Sequence, residues 1–190
     1  MEYAGFWRRF GAYWLDFFVL LPLVAISMWG NGQSRLFNLY YFLPGALIGL
    51  LFHVYLVRRY GGTPGKLILK IKITKLDGNS VGYKEAMLRY SVLFVLSTAM
   101  SIALIIATMG MTDAEYFSLG WIERTQQMVK KAPSWYQIVN VTMNIWIWGE
   151  FITMLTNKKR RAVHDFMAGT VVIRSKMPNE KAAPDQVAVG

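Results

Sequence analysis

An aspartate, Asp16, lies in the middle of the apolar stretch RFGAYWLDFFVL (9–20), and Arg9 opens that stretch. A carboxylate inside a transmembrane segment is energetically expensive, and such residues usually face other helices or a water-filled cavity and serve a function. In a helix, Arg9 and Asp16 share one face with Tyr13 between them, at an axial separation of roughly 10 Å. That distance is too long for an ion pair within the helix, so each charge needs another partner. For Asp16 we consider Tyr13, an amide of a later helix, His53 or a bound cation.

Further candidate residues lie in or near later apolar sequence. Glu150 comes close to the end of an apolar stretch, where its side chain could still reach the aqueous side. Asn140 and Asn144 fall on one face of that stretch, and amides placed in this way typically form hydrogen bonds between membrane helices. His53 follows a motif of small residues that is typical of helix packing, which favours a hydrogen-bonded histidine over a proton relay.

The composition places the chain in the class of membrane proteins. Of its 190 residues 54% are hydrophobic, and its mean hydropathy is +0.30. Four stretches approach the length of about 20 residues that a hydrocarbon core requires. They are 10–28, 37–57, 90–109 and 135–155. We predict an all-α integral membrane protein built as a four-helix transmembrane bundle. Asp16 in the first stretch indicates a retained helix and not a signal peptide.

The sequence favours neither a metal site nor an enzyme. It contains no cysteine, which excludes thiolate ligands, and its two histidines, His53 and His164, are too few for a histidine-rich site. No arrangement of serine, histidine and aspartate stands out as catalytic machinery. We therefore expect no catalytic residues, no cofactor and no bound metal.

Basic residues are distributed unevenly among the segments that connect the apolar stretches. Of the 21 lysines and arginines, 17 lie in the N-terminus, the connection 58–89 and the tail. The positive-inside rule then places both termini in the cytoplasm, and we expect a multi-pass protein of the bacterial inner membrane. The formal charge of +10 makes anionic lipids at the cytoplasmic face the expected partner, and not nucleic acid.

The connections themselves have internal patterns. Residues 70–75 alternate charged and apolar side chains, as a half-buried strand does, and we predict that they pair with 170–174 in a small cytoplasmic sheet. The outer connection, 112–134, contains an amphipathic pattern that predicts a helix in the outer membrane interface, with a partner-binding surface as the alternative. Residues 1–174 are predicted to form the transmembrane domain, and 175–190 a disordered tail.

Three fragments in the same order resemble the RDD family of small membrane proteins. These are Arg9-x-x-Ala12-x-x-x-Asp16, then Thr63-Pro64-Gly65-Lys66, then His164-Asp165 followed by Ala168-Gly169-Thr170-Val171-Val172. The resemblance implies that Arg9, Asp16 and Asp165 are the arginine and two aspartates that name the family. It also implies fewer helices than the four counted here. Transport has been suggested for members, some are linked to cation/proton exchange, and others look like partners within membrane complexes.

Three interpretations follow for the charged residues. In the structural one, Arg9 and Asp165 form an ion pair that joins the N-terminus to the tail, and a protein group holds Asp16. In the second, Asp16 and the Arg9–Asp165 pair serve the transport of a small cation or proton, and the chain forms a homo-oligomer because four helices are few for a carrier. In the third, the chain is a non-enzymatic accessory or scaffold subunit of a membrane complex. Tyr13, His53, Asn140, Asn144, Glu150 and His164 are the secondary candidates.

Overall fold

Four long apolar helical segments dominate the computed structural model, which describes residues 2–175. They are α1 (Phe6–Gln33), a composite segment (Phe37–Ile68), α5 (Tyr83–Met109) and α8 (Trp135–Thr156). Each is long and apolar enough to cross a membrane. The predicted four-helix membrane protein is confirmed at this level. The predicted tail, 175–190, lies outside the described residues apart from Ser175.

The composite segment is divided into four parts. It begins with α2 (Phe37–Leu50), passes through a π-helical segment (Leu51–Tyr55) and continues as α3 (Leu56–Tyr60). Gly61, with a φ of 81°, ends α3 in the left-handed conformation that glycine adopts most readily. The short helix α4 (Pro64–Ile68) follows, with its proline at the first helical position.

The helix α5 begins seven residues earlier than the predicted stretch 90–109, because charged residues were assigned to the connection. Glu85 explains the early start, since its Oε2 accepts a hydrogen bond of 2.6 Å from the Gly82 backbone at the helix N-terminus. The first turns of α5 therefore carry Arg89 into the bundle, and the connection shortens from the predicted 58–89.

A two-stranded antiparallel sheet forms at one end of the bundle, as the alternating pattern predicts. It pairs β1 (Ile71–Lys75) with β2 (Thr170–Arg174), with Ile71 opposite Arg174. The N-terminal segment lines up along β2, where the Ala4 backbone N–H donates to Val172 O at 2.9 Å. Both ends of the described chain therefore meet the sheet, and we call this end of the bundle the sheet end.

A hydrophobic cluster fixes the sheet against the helices. Ile71 and Ile73 of β1 and Val172 of β2 are each 1% exposed, and they pack with Ala12 of α1 and Val54 of the π-helical segment. Burial of these side chains holds the strands across the ends of the helices. The short helix α9 (Val163–Met167) leads from α8 back into β2.

The opposite end of the bundle carries two short helices, α6 (Asp113–Ser118) and α7 (Trp121–Lys131), and we call it the hairpin end. Arg35 links it to α1 and α2 through an ion pair of 2.7 Å with Asp113. Trp121 is 64% exposed within the chain. The amphipathic helix predicted in the outer connection is present as α7, and its location in a membrane interface stays a prediction.

Candidate functional site

Asp16 is held by three groups of the segment 63–66. The Thr63 hydroxyl donates to Oδ2 at 2.5 Å, the Gly65 backbone N–H donates to Oδ1 at 2.7 Å, and Lys66 Nζ lies 3.8 Å from Oδ2. Asp16 is 7% exposed and Lys66 8% exposed. The carboxylate thus has a hydrogen-bond partner at each oxygen and a counter-charge, as a buried charge requires.

Glycine at position 65 makes this contact possible. A Cβ there would collide with the carbonyl oxygen of Ala12 and lie 2.9 Å from the backbone nitrogen of Asp16. Only a residue without a side chain lets the start of α4 pack this closely against α1. Lys66 Nζ also contacts the hydroxyl of Thr63 at 3.2 Å and lies 5.1 Å from the ring centroid of Tyr13.

The protein partners of Asp16 in the structure differ from the protein groups that the sequence suggested. Tyr13 lies against Lys66 instead, and the amides of α8 are directed elsewhere. Asn144 is exposed, and its Nδ2 donates to the backbone oxygen of Asn140 at 2.8 Å within the same helix. The prediction of hydrogen bonds from these amides to another helix is therefore wrong. The motif Thr63-Pro64-Gly65-Lys66 was the available signal, but its residues alone gave no indication of a carboxylate partner.

Asp165 is the centre of a second charged cluster. It is fully buried, and its Oδ2 accepts from Arg9 Nη1 at 2.9 Å, which confirms the predicted ion pair. Arg89 Nη1 and the Thr170 hydroxyl donate to Oδ1, and the backbone N–H of Ala162 donates to Oδ2 at 3.0 Å. Arg89 is not among the residues predicted from the sequence, because its charge placed it in the cytoplasmic connection.

The cluster keeps Asp165 ionised. Burial alone would raise the pKa of Asp165, but the Arg89 guanidinium, with Arg9 and the backbone N–H of Ala162, lowers it by more. The net pKa lies well below the ordinary range of an aspartate. Burial and the nearby Arg89 charge both disfavour the protonated form of His164, and they lower its pKa below the usual value.

A chain of close polar contacts runs from Asp165 through Arg89 and His164 to Glu150. Arg89 Nη2 lies 2.7 Å from His164 Nε2, and His164 Nδ1 lies 2.6 Å from Glu150 Oε2. Because a guanidinium can only donate, Nε2 is the acceptor, so the proton of the neutral ring is on Nδ1, the nitrogen that lies next to Glu150 Oε2. The backbone N–H of His164 also donates to Glu150 Oε1 at 3.1 Å.

Both clusters border one cavity of about 480 Å³. Its charged or titratable lining comes from α1, the composite segment, α5, α8 and α9, and most of the remaining wall is apolar. Arg9 and Asp165 lie outside this lining. The polar lining residues are Tyr13, Asp16, His53, Thr63, Lys66, Arg89, Tyr90, Glu150 and His164.

The cavity brings together basic and acidic side chains without the ligands of a metal site. Within residues 2–175, no group of three or more histidine, cysteine, aspartate or glutamate side chains is placed to hold a metal ion. Asp16 already accepts hydrogen bonds at both oxygens, and Glu150 is bound to His164. The arrangement places the Glu150 carboxylate beside the His164 imidazole at the cavity wall.

Comparison with known proteins identifies the family. No curated protein and no solved structure matches the chain significantly. A family model, that of the RDD family, matches residues 3–169. This match includes Arg9, Asp16 and Asp165, the three residues that the sequence fragments indicated, and it covers most of the chain. The chain therefore belongs to the RDD family.

Proposed function

We propose that this RDD family membrane protein is not an enzyme and carries protons through the charged cavity, in exchange for a small cation. The observation that supports this proposal is the Glu150–His164 pair, with 2.6 Å between Oε2 and Nδ1, at the wall of a cavity inside the bundle. Chains of acidic and histidine side chains at such positions are typical of proton relays in pumps and transporters.

Within this proposal, Glu150 takes up and releases the proton beside neutral His164, and Asp16 has a supporting role. Thr63 and Gly65 donate to Asp16 at 2.5 and 2.7 Å, so binding of a cation there would have to displace protein donors. Glu150 is 8% exposed, and His164 Nδ1 lies 2.6 Å from its Oε2.

The proposed orientation places the sheet end in the cytoplasm of the bacterial inner membrane. This follows from the excess of lysine and arginine in the segments that meet there. The exposed basic residues Lys158, Lys159 and Arg160 then face anionic lipid headgroups at the cytoplasmic surface. A homo-oligomer is part of the proposal, because a single copy supplies only four spanning segments.

Proton flux in proteoliposomes tests the proposed function. A pH-sensitive dye inside the vesicles reports proton movement when an inward or outward gradient of a monovalent cation is applied. We expect flux with the unaltered protein, loss of flux in Glu150→Gln, and unchanged flux in Glu123→Gln, which alters an exposed carboxylate at the hairpin end. Equal flux in both variants, or no flux above that of empty vesicles with the unaltered protein, would contradict the proposal.

An accessory or scaffold role is the second candidate function. The observation in its favour is the apolar surface of α7, where Trp121 and Ile122 are 64% and 66% exposed. If this role is correct, extraction in a mild detergent recovers a second membrane protein in stoichiometric amount, and Trp121→Ser together with Ile122→Ser reduces its recovery. A homogeneous homo-oligomer with no second protein in several mild detergents argues against it.

A further inference from the structure

A second cavity, of about 330 Å³, lies between α1, α2 and α5. Its lining extends toward the hairpin end as far as Asn38, the second residue of α2. None of its lining residues, all of which belong to the described range 2–175, is charged. Its polar groups are instead hydroxyls and an amide, including Ser27, Asn38, Ser97 and Ser101.

The hydroxyls of α5 present acceptors to this second cavity. Ser97 donates its hydroxyl proton to the backbone oxygen of Phe94 at 3.1 Å, and Ser101 donates to that of Ser97 at 2.9 Å. Their oxygen lone pairs remain available for water or for another donor. The second cavity is therefore a neutral polar space, in contrast to the charged cavity at the sheet end.

Tyr90 of α5 is part of the lining of both cavities. Arg89, which precedes it, lines only the charged cavity. Ser101, eleven residues after Tyr90 on α5, lines only the neutral cavity. At 1.5 Å per residue, the lining of the two cavities covers roughly 18 Å of α5 from Arg89 to Ser101, a large part of a ~30 Å hydrocarbon core. The ring of Tyr90 thus lies at the boundary of two polar spaces arranged in series.

Two residues of the composite segment, His53 and Gly49, hold the ring of Tyr90 in place. It stacks on His53 with 4.6 Å between ring centroids and an interplanar angle of 17°. Its hydroxyl oxygen lies so close to Gly49 that a Cβ at that position would be 2.5 Å away. Glycine at position 49 therefore leaves the space that the tyrosine hydroxyl occupies.

His53 belongs to the π-helical segment Leu51–Tyr55. Single turns of π-helix inside an α-helix are rare and are frequent at functional sites. A return of this segment to α-helical hydrogen bonding would change the angular position of His53 around the helix axis and release the ring that it stacks on. The composite segment thus places a π-helical turn beside Tyr90, at the boundary between the cavities.

We propose that Tyr90, stacked on His53, is the gate between the charged cavity and the neutral cavity, and that its displacement joins them into one polar path. The identity of what moves along this path rests on the proposed function. The gate controls whether a molecule in the charged cavity can reach the neutral cavity, so it can be tested without measuring transport.

The absence of cysteine from the sequence makes the test direct. A single cysteine at Ser97, in the neutral cavity, is labelled in sealed vesicles of known orientation by a charged, membrane-impermeant methanethiosulfonate added at the sheet side. A cysteine at Ser175 confirms which side the reagent reaches. We measure the labelling rate of Ser97→Cys in the parent chain and in Tyr90→Phe, Tyr90→Ala and Gly49→Ala.

The gate predicts slow labelling from the sheet side in the parent and in Tyr90→Phe, which keeps the ring. Since a minor conformation is typically 0.1–10% populated, Tyr90→Ala is expected to raise the rate by about 10- to 1000-fold. Gly49→Ala displaces the hydroxyl and also raises the rate, and adding Tyr90→Phe to Gly49→Ala restores slow labelling. Gly49→Ala gives an independent result if Tyr90→Ala does not insert or fold.

Equal labelling rates in all of these variants would overturn the gate, as would rapid labelling of the parent from the sheet side. Labelling that depends on Tyr90 in a protein without proton flux would support the gate and contradict the proposed function. Proton flux together with labelling that is independent of Tyr90 would contradict the gate and support the proposed function.

Discussion

Replacement of Asp165 by asparagine isolates the charge at the centre of the second cluster. The side chain is fully buried, and it accepts from Arg9 at 2.9 Å and from the Ala162 backbone at 3.0 Å, with Arg89 at its other oxygen. Asparagine keeps the shape but turns one acceptor into a donor and leaves two buried guanidinium groups without a counter-charge. Removal of one member of a buried ion pair costs about 3–5 kcal/mol. Because Asp165 serves two arginines, we expect a loss of about 5 kcal/mol, the upper end of that range.

The free energy of unfolding in mixed micelles measures this loss, and the fluorescence of the seven tryptophans reports unfolding. Asp113→Asn is the matched control, because it breaks an ion pair with Arg35 in which the aspartate side chain is 73% exposed. Exposed pairs contribute about 0–1 kcal/mol, so the control should lose no more than that. A loss at Asp165 as small as the loss at Asp113 would refute the assignment of Asp165 as the structural centre of the cluster.

Two further predictions use the same unfolding measurement. Because the pKa values of His164 and Asp165 are lowered in the folded chain, the unfolded chain binds more protons at acidic pH, and stability should fall as pH decreases below about 6.5 and again below about 4. His164→Gln should remove the first of these decreases, and a stability that rises on acidification would contradict the argument. Gly65→Ala should cost about 1–3 kcal/mol, because its methyl group collides with the Ala12 carbonyl. Gly32→Ala, which meets nothing within 4 Å, should change stability by no more than about 1 kcal/mol, and an equal loss at both glycines would contradict the close approach of α4 to α1.

Patterns along the chain were sufficient to predict the four long apolar helical segments and the two-stranded sheet. Apolar length identified four spanning segments, since a hydrocarbon core sets that length directly. The alternation in 70–75 and the β-rich run 170–174 predicted the strands, and the shortage of other strand-like sequence on that side predicted their pairing. The ion pair of Arg9 with Asp165 followed because both residues lie near the same end of the bundle.

The contacts of the site depended on information that such patterns do not contain. The hydrogen bond from the Gly65 backbone N–H to Asp16 requires the backbones of α4 and α1 to approach closely. The spacing of apolar residues along a sequence does not indicate the distance between two segments. The role of Arg89 could not be predicted in this way, because a positively charged residue next to an apolar stretch ordinarily marks the end of a membrane-spanning segment. In the structure, the cap at Glu85 starts α5 earlier, and the negative charge of Asp165 makes a buried Arg89 tolerable.

The charged residues Arg9, Asp16 and Asp165 differ from the Glu150–His164 pair in the consequence of adding a proton. Protonation of Asp165 would leave Arg9 and Arg89 as uncompensated buried cations, and protonation of Asp16 would do the same to Lys66. Protonation of Glu150 beside neutral His164 leaves these ion pairs intact, because Glu150 is not the counter-charge of Arg9, Arg89 or Lys66. The physical expectation is that Arg9, Asp16 and Asp165 form a rigid frame. Under the proposed function, the proton moves at the pair that this frame positions.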